Sequence, residues 1–365
     1  MIHAFLHKHN DPSYRHFIEF ENLPKNILHV GYILNGDNNL SNEKFIELLQ
    51  HNIKSRQIDL IILDCTGEPW DVYFEYRVGL SPVKLQKILG EFCRTIIVTE
   101  DWHYFYHPDP NIVFFPYNLW IHSTQKIAQY YDNGKTVYEA QLTKTKPLMC
   151  LNRNLQWHRL YVLDKITKAS WLSEVDFSFV LPLGNKLEHP EVLEKLTDSE
   201  RHHLAQLDLP IFLDYEKNSS INFGYSNGAS NVNTLVYNRC AVNLITETSV
   251  DEPNLVTEKT TKAFSAYQIP IIIGKPGINQ YLEDLGMDMF KDYVPWQSWD
   301  NKPNPRLRLE KILQFVDKIM QDPASILQAH QQFCPRLIAN RNRFHSAEFA
   351  DCITKQLKRF DICRF

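Results

Sequence analysis

The segment from residue 254 to 264, NLVTEKTTKAF, places a hydroxyl, a carboxylate and two lysines at the predicted start of a helix. Thr257 suits the N-cap position because its hydroxyl accepts a hydrogen bond from a free backbone N–H, and Glu258 suits the positive helix end. Lys259 and Lys262 lie three residues apart on a more polar face. Free N–H groups and lysines together make a site for a diphosphate, although a solvated first turn with ordinary capping has the same pattern.

Strands and helices alternate on both sides of this segment, so they decide where the polar residues lie. The sequence predicts strands at PLMCLN, FSFVLPL, CAVNLITETS and IPIIIGK, and helices at WHRLYVLDKITKASWL, TEKTTKAF, INQYLEDLG and LRLEKILQFVDKIM. Asn152 ends the first of these strands, and Glu247 lies at the end of the third. Such alternation is typical of a parallel sheet covered by helices on both faces.

The first part of the chain has the same alternation. Strands are predicted at NILHVGYIL, IDLIILDCTG, TIIVTEDW and NIVFFPYNLW, and helices at NEKFIELLQHNI and SPVKLQKILGEF. We place a domain boundary in the polar stretch EAQLTKTK. The predicted organisation is an N-terminal domain at 1–145, a C-terminal domain at 146–333 and a helical segment at 334–365. The predicted fold class is α/β with two Rossmann-like domains.

The order of a glutamate at a strand end, a T-E-K helix start and an apolar strand ending in glycine resembles the donor-sugar domain of GT-B glycosyltransferases. It looks most like the alpha-1,3-fucosyltransferase family. The matching residues are Glu247, then Thr257, Glu258 and Lys259, then the strand from 269 to 274. In that family an upstream strand, loop and helix also supply an arginine to the pyrophosphate, and the matching residues here are Asn152 and Arg159. The resemblance covers roughly residues 147 to 290. It implies two domains facing a cleft, with the nucleotide on the C-terminal domain and fucose as the sugar.

The implied reaction explains these residue types. Sugar transfer expels a nucleoside diphosphate, and a fixed arginine, a lysine and helix N–H groups stabilise its growing negative charge. We expect Arg159 and Lys259 at the diphosphate, and neither in a core. Glu247 and Glu258 suit sugar or ribose hydroxyls, because carboxylates accept hydrogen bonds from them. The predicted donor-binding residues are Asn152, Arg159, Glu247, Thr257, Glu258, Lys259 and Lys262. No two aspartates lie two residues apart, so we expect no metal-binding Asp-x-Asp motif and no cofactor.

An inverting transfer also needs a base that takes the acceptor proton. The segment LDCTGEPWD follows a buried strand, and open α/β sheets bind ligands at the carboxyl ends of their strands. The resembled family carries a glutamate in a similar turn, so we select Glu68, with Asp64 and Asp71 as neighbours. The alternative is that these acids only cap a turn. The aromatic segment 99–107 either binds the acceptor by stacking or packs as a rim.

Composition narrows the class of protein. The 365 residues are 44% hydrophobic and 22% charged, which is typical of a globular protein with real cores. A formal net charge of -4 argues against a dedicated nucleic-acid binder, so no nucleic-acid partner is expected. Seven scattered cysteines without a C-x-x-C pair suit reduced thiols in the cytoplasm. The glycine-rich and G-x-S-x-G motifs of dinucleotide enzymes, P-loop kinases and serine hydrolases are absent.

The sequence predicts a glycosyltransferase that takes a nucleotide-sugar donor and a glycan or lipid-linked acceptor. Two alternatives stay open. One is a retaining transferase of capsule or lipopolysaccharide sugars, of the Kdo type, in which Glu68 would not be a simple base. The other is a non-catalytic protein that binds a sugar or nucleotide.

The C-terminal segment from residue 334 carries seven lysines and arginines against three acids. Its aromatic and aliphatic residues recur at spacings of three to five, which suits one apolar helical face. Packing of that face onto the body is the favoured interpretation. The alternative is a peripheral contact with the inner face of an anionic membrane.

Overall fold

The computed structural model describes short stretches of the first part of the chain and most of the second part. The described residues are 27–30, 47, 50–51, 54–55, 60–65, 87–89, 94–99, 113–116, 140–152, 155–180, 190–211, 234–251 and 256–346. The chain divides into two compact units. The described residues up to Pro116 belong to the first unit, and those from Ala140 onward belong to the second. The predicted boundary near residue 145 and the cleft between facing domains stay predictions.

The first unit contains a four-stranded parallel sheet in the order β1-β2-β3-β4. Its strands are β1 (Ile27–Val30), β2 (Leu60–Cys65), β3 (Arg94–Thr99) and β4 (Val113–Pro116). Leu60 of β2 lies beside Ile27 on one side and beside Arg94 on the other. Each of the four strands predicted in this part is therefore present.

The second unit contains another four-stranded parallel sheet, in the order β6-β5-β7-β8. Its strands are β5 (Lys146–Asn152), β6 (Val175–Phe179), β7 (Cys240–Thr246) and β8 (Ile269–Ile273). From β5 the chain first moves to one edge, at β6, and then returns past β5 to β7 and β8. The strand order therefore reverses between β5 and β7, which is the place where open α/β sheets bind ligands.

Helices surround the second sheet. They are α1 (Trp157–Lys168), α2 (Pro190–Leu193), α3 (Asp198–Leu204), α4 (Thr234–Arg239), α5 (Glu258–Ser265), α6 (Ile278–Asp284), α7 (Pro305–Ile319), α8 (Pro323–Gln332) and α9 (Cys334–Phe344). Short 3-10 turns cover Leu172–Glu174 and Trp296–Ser298. Within the described residues, no helix has the length and apolar character needed to cross a membrane.

The core of the second unit lies on the sheet. Every residue of β6, β7 and β8 is buried. Helix α5 packs on β7 and β8, and α8 packs on β5 and β7. Parallel strands buried on both faces are rich in β-branched and aliphatic residues, as the sequence IPIII of β8 illustrates. Buried polar side chains occur both within the strands, at Asp176, Ser178 and Asn243, and at the strand ends, at Asn152 and Thr246.

Helix α1 ends earlier than predicted, and α2, α4 and α8 were not among the predicted helices. The pattern WHRLYVLDKITKASWL predicts a helix to residue 172, but α1 ends at Lys168 because Ala169 is already extended and starts the turn into β6. Helix α8 was not predicted. Its start signals were present in the sequence, since Asp322 caps the helix and Pro323 occupies its first position.

Candidate functional site

The carboxyl ends of β5 and β7 meet at the reversal of strand order. Asn152, the last residue of β5, accepts a hydrogen bond from the hydroxyl of Thr246, the last residue of β7. Both side chains are buried. This bond joins the two strands whose following loops lead to the predicted donor-binding residues.

The start of α5 has the predicted cap. Thr257 is the N-cap residue, and its hydroxyl accepts a hydrogen bond from the backbone N–H of Lys259 at 3.4 Å. The same oxygen lies 3.1 Å from the Nζ atom of Lys259. The hydroxyl in turn donates to Glu247 Oε2 at 2.5 Å. Thr257 thus links the helix start, the lysine ammonium and the glutamate at the end of β7.

Glu247 is fully buried beneath the start of α5. Besides the Thr257 hydroxyl, its carboxylate accepts the backbone N–H of Thr257 at 3.1 Å and the hydroxyl of Thr260 at 2.6 Å. The role predicted for Glu247, hydrogen bonding to sugar or ribose hydroxyls, stays a prediction. In this structure its carboxylate oxygens are engaged by groups of the chain itself.

The start of α1 also bonds to Glu247, through its backbone oxygen. The Nη2 atom of Arg159 donates to the backbone oxygens of Thr246, at 3.3 Å, and Glu247, at 3.1 Å. Arg159 is only 2% exposed, so the expectation that it lies outside a core is wrong. The reason is that carbonyls at the end of β7 need donors, and a guanidinium supplies several in one plane.

His158 is a site residue that sequence reasoning missed. Its Nε2 atom lies 2.9 Å from the backbone oxygen of Glu247 and donates a hydrogen bond to it. Burial, together with the positive charges of Arg159 and Lys259, lowers the pKa of His158 to about 3. The imidazole is therefore neutral near pH 7. The one signal in the sequence was its place beside Arg159, at the start of a helix that follows a strand.

Glu258 and Lys262 form the charged part of α5 together with Lys259. Lys262 is buried, so the prediction of a more polar face is wrong for this residue; the helix packs onto β7 and β8 over more of its surface than the pattern indicated. Burial lowers the pKa of Lys262 to about 8, against the opposing effect of Glu258. Burial raises the pKa of Glu258, but the two lysines outweigh it and the net shift is downward. Lys259 keeps about a quarter of its side chain exposed.

Arg308, on α7, is a second residue that the sequence did not single out. Its buried guanidinium donates from Nη2 to the backbone oxygens of Val250, at 2.5 Å, and Gly274, at 3.3 Å. It therefore ties the loop after β7 to the loop after β8. Nothing in the local sequence distinguishes this arginine from the other charged residues of α7.

Some predicted residues lie outside the described part of the chain. They are Glu68, Asp71 and the aromatic segment beyond residue 99. Asp64 belongs to β2, and its side chain is not described. Among the residues that the structure does describe, no group of three histidines, cysteines or acids is arranged to hold a metal ion.

The arrangement suits an anion at the carboxyl edge of the second sheet. The starts of α1 and α5 both reach this edge, and free N–H groups at helix starts favour negative charge. Lys259 adds a partly exposed cation, while Arg159 stands behind it in the interior. The structure thus brings Asn152, Arg159, Glu247, Thr257, Glu258, Lys259 and Lys262 into one region of the second unit.

Comparison with known proteins does not identify a family for this chain. No protein-family description matches the chain, and no curated protein matches it. Among solved structures, the chain is similar to an alpha,alpha-trehalose-phosphate synthase (UDP-forming) from Burkholderia xenovorans, in complex with glucose-6-phosphate. The likeness covers 91% of this chain and 72% of that one, with 13% sequence identity and a TM-score of 0.41. A likeness this weak carries no conclusion about fold or activity.

Proposed function

We propose that the protein is a glycosyltransferase that moves a sugar from a nucleotide-sugar donor to a hydroxyl group of a glycan or lipid-linked acceptor. The observation that carries the proposal is the bonding of Glu247 to Thr257 and Thr260. It fixes the T-E-K turn at the reversal of strand order, where α/β sheets bind nucleotides. The donor site would therefore lie wholly within the second unit.

The departing diphosphate is the group that these residues would stabilise. Its negative charge grows as the bond to the sugar breaks, so cations and N–H groups that are already in place lower the barrier. Lys259, whose side chain is partly exposed, supplies positive charge directly. The N–H groups of Thr257 and Lys259 are already bonded to Glu247 and to the Thr257 hydroxyl, so the start of α5 contributes through its dipole. Arg159 lies deeper, and we assign it a long-range electrostatic contribution together with its hydrogen bonds to the strand end.

The remaining parts of the mechanism rest on the sequence resemblance. Glu68 would take the proton of the acceptor hydroxyl, and the transfer would invert configuration at the sugar. Fucose is the sugar that the resemblance implies. A retaining transferase of Kdo type would use the same donor site but a different carboxylate. A non-catalytic protein would bind the nucleotide and release no product.

The proposal is tested first by binding. Thermal melting is measured with GDP, UDP and CMP, because a ligand at 100 times its dissociation constant adds about 2.7 kcal/mol to the free energy of unfolding. We expect one nucleotide to raise the melting temperature and the other two to have less effect. The matched pair of variants is Lys259→Ala and Lys318→Ala, the latter removing an exposed lysine of α7.

The expected result is that Lys259→Ala binds the nucleotide more weakly while Lys318→Ala binds it like the wild type. With the matching nucleotide sugar, Lys259→Ala should also lose roughly a hundredfold in turnover, about 3 kcal/mol of transition-state stabilisation. If no nucleotide shifts the melting temperature of the wild type, the glycosyltransferase assignment is wrong. Binding without release of nucleoside diphosphate in the presence of any acceptor would favour the non-catalytic alternative.

A further inference from the structure

Glu247 forms hydrogen bonds to three elements at the carboxyl edge of the sheet, namely the end of β8 and the starts of α1 and α5. Its backbone N–H donates to the oxygen of Ile273 at 2.9 Å, which extends the pairing of β7 with β8. Its backbone oxygen accepts from His158 and Arg159 at the start of α1. Its carboxylate accepts from Thr257 and Thr260 at the start of α5. One residue therefore sets the relative positions of two helix starts and two strand ends.

The carboxylate of Glu247 has little capacity left for a ligand. An ionised carboxylate offers about four lone-pair sites, and three hydrogen bonds from α5 already occupy most of them. The side chain is also fully buried. A hydroxyl of the donor would have to displace one of these bonds, and a buried polar group that loses its partner is costly.

A chain of hydrogen bonds connects Glu247 through the Thr257 hydroxyl to Lys259. The Thr257 hydroxyl gives its single hydrogen to Glu247 Oε2, so its lone pairs face the donors of Lys259. The backbone N–H and the Nζ atom of Lys259 both approach that oxygen, at 3.4 and 3.1 Å. The direction of the Thr257 hydroxyl depends on the buried carboxylate, and the ammonium lies between that hydroxyl and Glu258 Oε1, which is 3.4 Å from it.

We propose that Glu247 is a positioning residue of the donor site, which acts through Thr257 to hold Lys259 and the start of α5 and does not bind a hydroxyl of the donor. This inference rests on the proposed function, since the diphosphate is the group that Lys259 is held to meet. It assigns to Glu247 a different role from the hydroxyl-binding one that the sequence resemblance implies.

Thr260 gives the cleanest test, because its hydroxyl bonds to Glu247 Oε1 and not to the oxygen that accepts from the Thr257 hydroxyl. Thr260→Val keeps the shape and removes the hydroxyl, whereas Thr260→Ser keeps the hydroxyl. Ser265→Ala is the matched control, since it removes another buried hydroxyl of α5 that bonds to the oxygen of Thr261. Affinity is measured by titration calorimetry with GDP, UDP or CMP, whichever stabilises the wild type, well below the melting temperature of each variant.

We expect Thr260→Val to raise the dissociation constant about tenfold, since small misplacements of charged groups have large effects, and Thr260→Ser to restore the wild-type value. Ser265→Ala should leave the dissociation constant unchanged. A purely structural role of Thr260 would lower the melting temperature without changing the affinity, and that result would overturn the inference. If the wild type itself binds none of the three nucleotides, the proposed function fails, and the inference falls with it.

A second measurement separates positioning from contact with ribose. The wild type and Glu247→Gln are each titrated with the matching ribonucleotide and with its 2′,3′-dideoxy analogue. If Glu247 positions Lys259, both proteins lose the same factor of affinity when the hydroxyls are removed. If Glu247 binds the ribose hydroxyls, the analogue costs affinity in the wild type and little in Glu247→Gln, and the positioning role is rejected.

Discussion

His158 and Glu247 are joined by a hydrogen bond of 2.9 Å from the imidazole Nε2 to the backbone oxygen, which connects the start of α1 to the end of β7. The bond requires an imidazole that carries its proton on Nε2. Arg159, the next residue, bonds to the same oxygen and places a positive charge beside the ring. Burial and this neighbouring charge oppose protonation of the ring, against the smaller opposing effect of the hydrogen bond to Glu247.

Stability should fall in acid because of His158. Its pKa is about 3 in the folded chain, against 6.5 for an ordinary histidine, so below pH 6.5 the unfolded chain binds a proton that the folded chain does not. This contribution to stability is complete above pH 6.5 and is lost progressively as the pH falls toward 3, by at most about 1.4 kcal/mol per pH unit.

The variant His158→Gln keeps an N–H donor and cannot be protonated. Chemical denaturation between pH 7 and pH 5 should give it a shallower loss of stability than the wild type. The exposed His202 supplies the control, and His202→Gln should keep the wild-type slope. Equal slopes for His158→Gln and the wild type would contradict the prediction. His330 and His345, whose pKa values burial lowers to about 4, contribute to the slope that remains.

Gly274, the residue after β8, is packed closely against Ile278. A Cβ atom there would lie 2.9 Å from Cδ1 of Ile278 and 3.6 Å from Cγ of Glu247. We expect Gly274→Ala to lower the free energy of unfolding by about 1–3 kcal/mol, the usual range for overpacking. The double variant with Ile278→Val removes the crowded Cδ1 and should recover most of the loss. If the double variant does not regain stability, the loss comes from strain in the backbone and not from the contact with Cδ1 of Ile278.

The C-terminal helix α9 packs on the second unit. Leu337 and Phe344 are buried, and the ring of Phe344 lies 6.2 Å from that of Phe264 on α5, centre to centre. Its arginines are engaged too: Arg336 pairs with Asp288 and Asp292, Arg341 donates to the Tyr267 hydroxyl, and Arg343 donates to the oxygen of Leu285. These contacts favour the packing interpretation for residues 334–346.

Phe344→Ala should therefore cost about 3–5 kcal/mol of stability, as other buried aromatic residues do. Leu307→Ala, which shortens an exposed side chain of α7, should cost little. A chain that ends after Phe333 should be insoluble or melt well below the wild type. If that chain melts normally and loses only its binding to anionic lipid vesicles, the membrane interpretation is right.

The proposed transferase activity should survive chelation. The sequence lacks an Asp-x-Asp pair, and Lys259 would take the place of a metal at the diphosphate. Release of nucleoside diphosphate is measured with and without EDTA. Complete loss of activity with EDTA, followed by recovery with manganese, would reject the prediction.

Glu68→Gln should lower turnover by about 10²–10⁴-fold, because removal of a general base leaves proton transfer to water. The dissociation constant of the nucleotide should not change, since the residues that we propose to bind the donor lie on the second unit. Asp71→Asn, three residues later, is the matched control and should retain most of the activity. A Glu68→Gln protein with wild-type turnover would mean that the acids of this turn only cap it.

The fold of the second unit was largely readable from the sequence. The strands β5 to β8 and the helices α1 and α5 follow from local patterns, because a buried parallel strand is mostly apolar, whereas α2 and α4 were not predicted. The Thr257 cap was predicted correctly for a similar reason, since capping involves residues only two or three positions apart. The burial of Lys262 was not predicted, because it depends on how closely α5 approaches the sheet.

Three features of the site depend on residues distant in sequence. Glu247 bonds to a threonine 13 positions later, and His158 bonds to an oxygen 89 positions later. Arg308 bonds to backbone oxygens that lie 34 and 58 positions earlier in the chain. No local pattern encodes such pairs. The sequence by itself determined which residue types stand at the strand ends and helix starts, through periodicity and capping. Only the tertiary structure decided that Arg159 and Glu247 are buried partners of the backbone, because the need to satisfy carbonyls and N–H groups where strands end arises only once the sheet has formed.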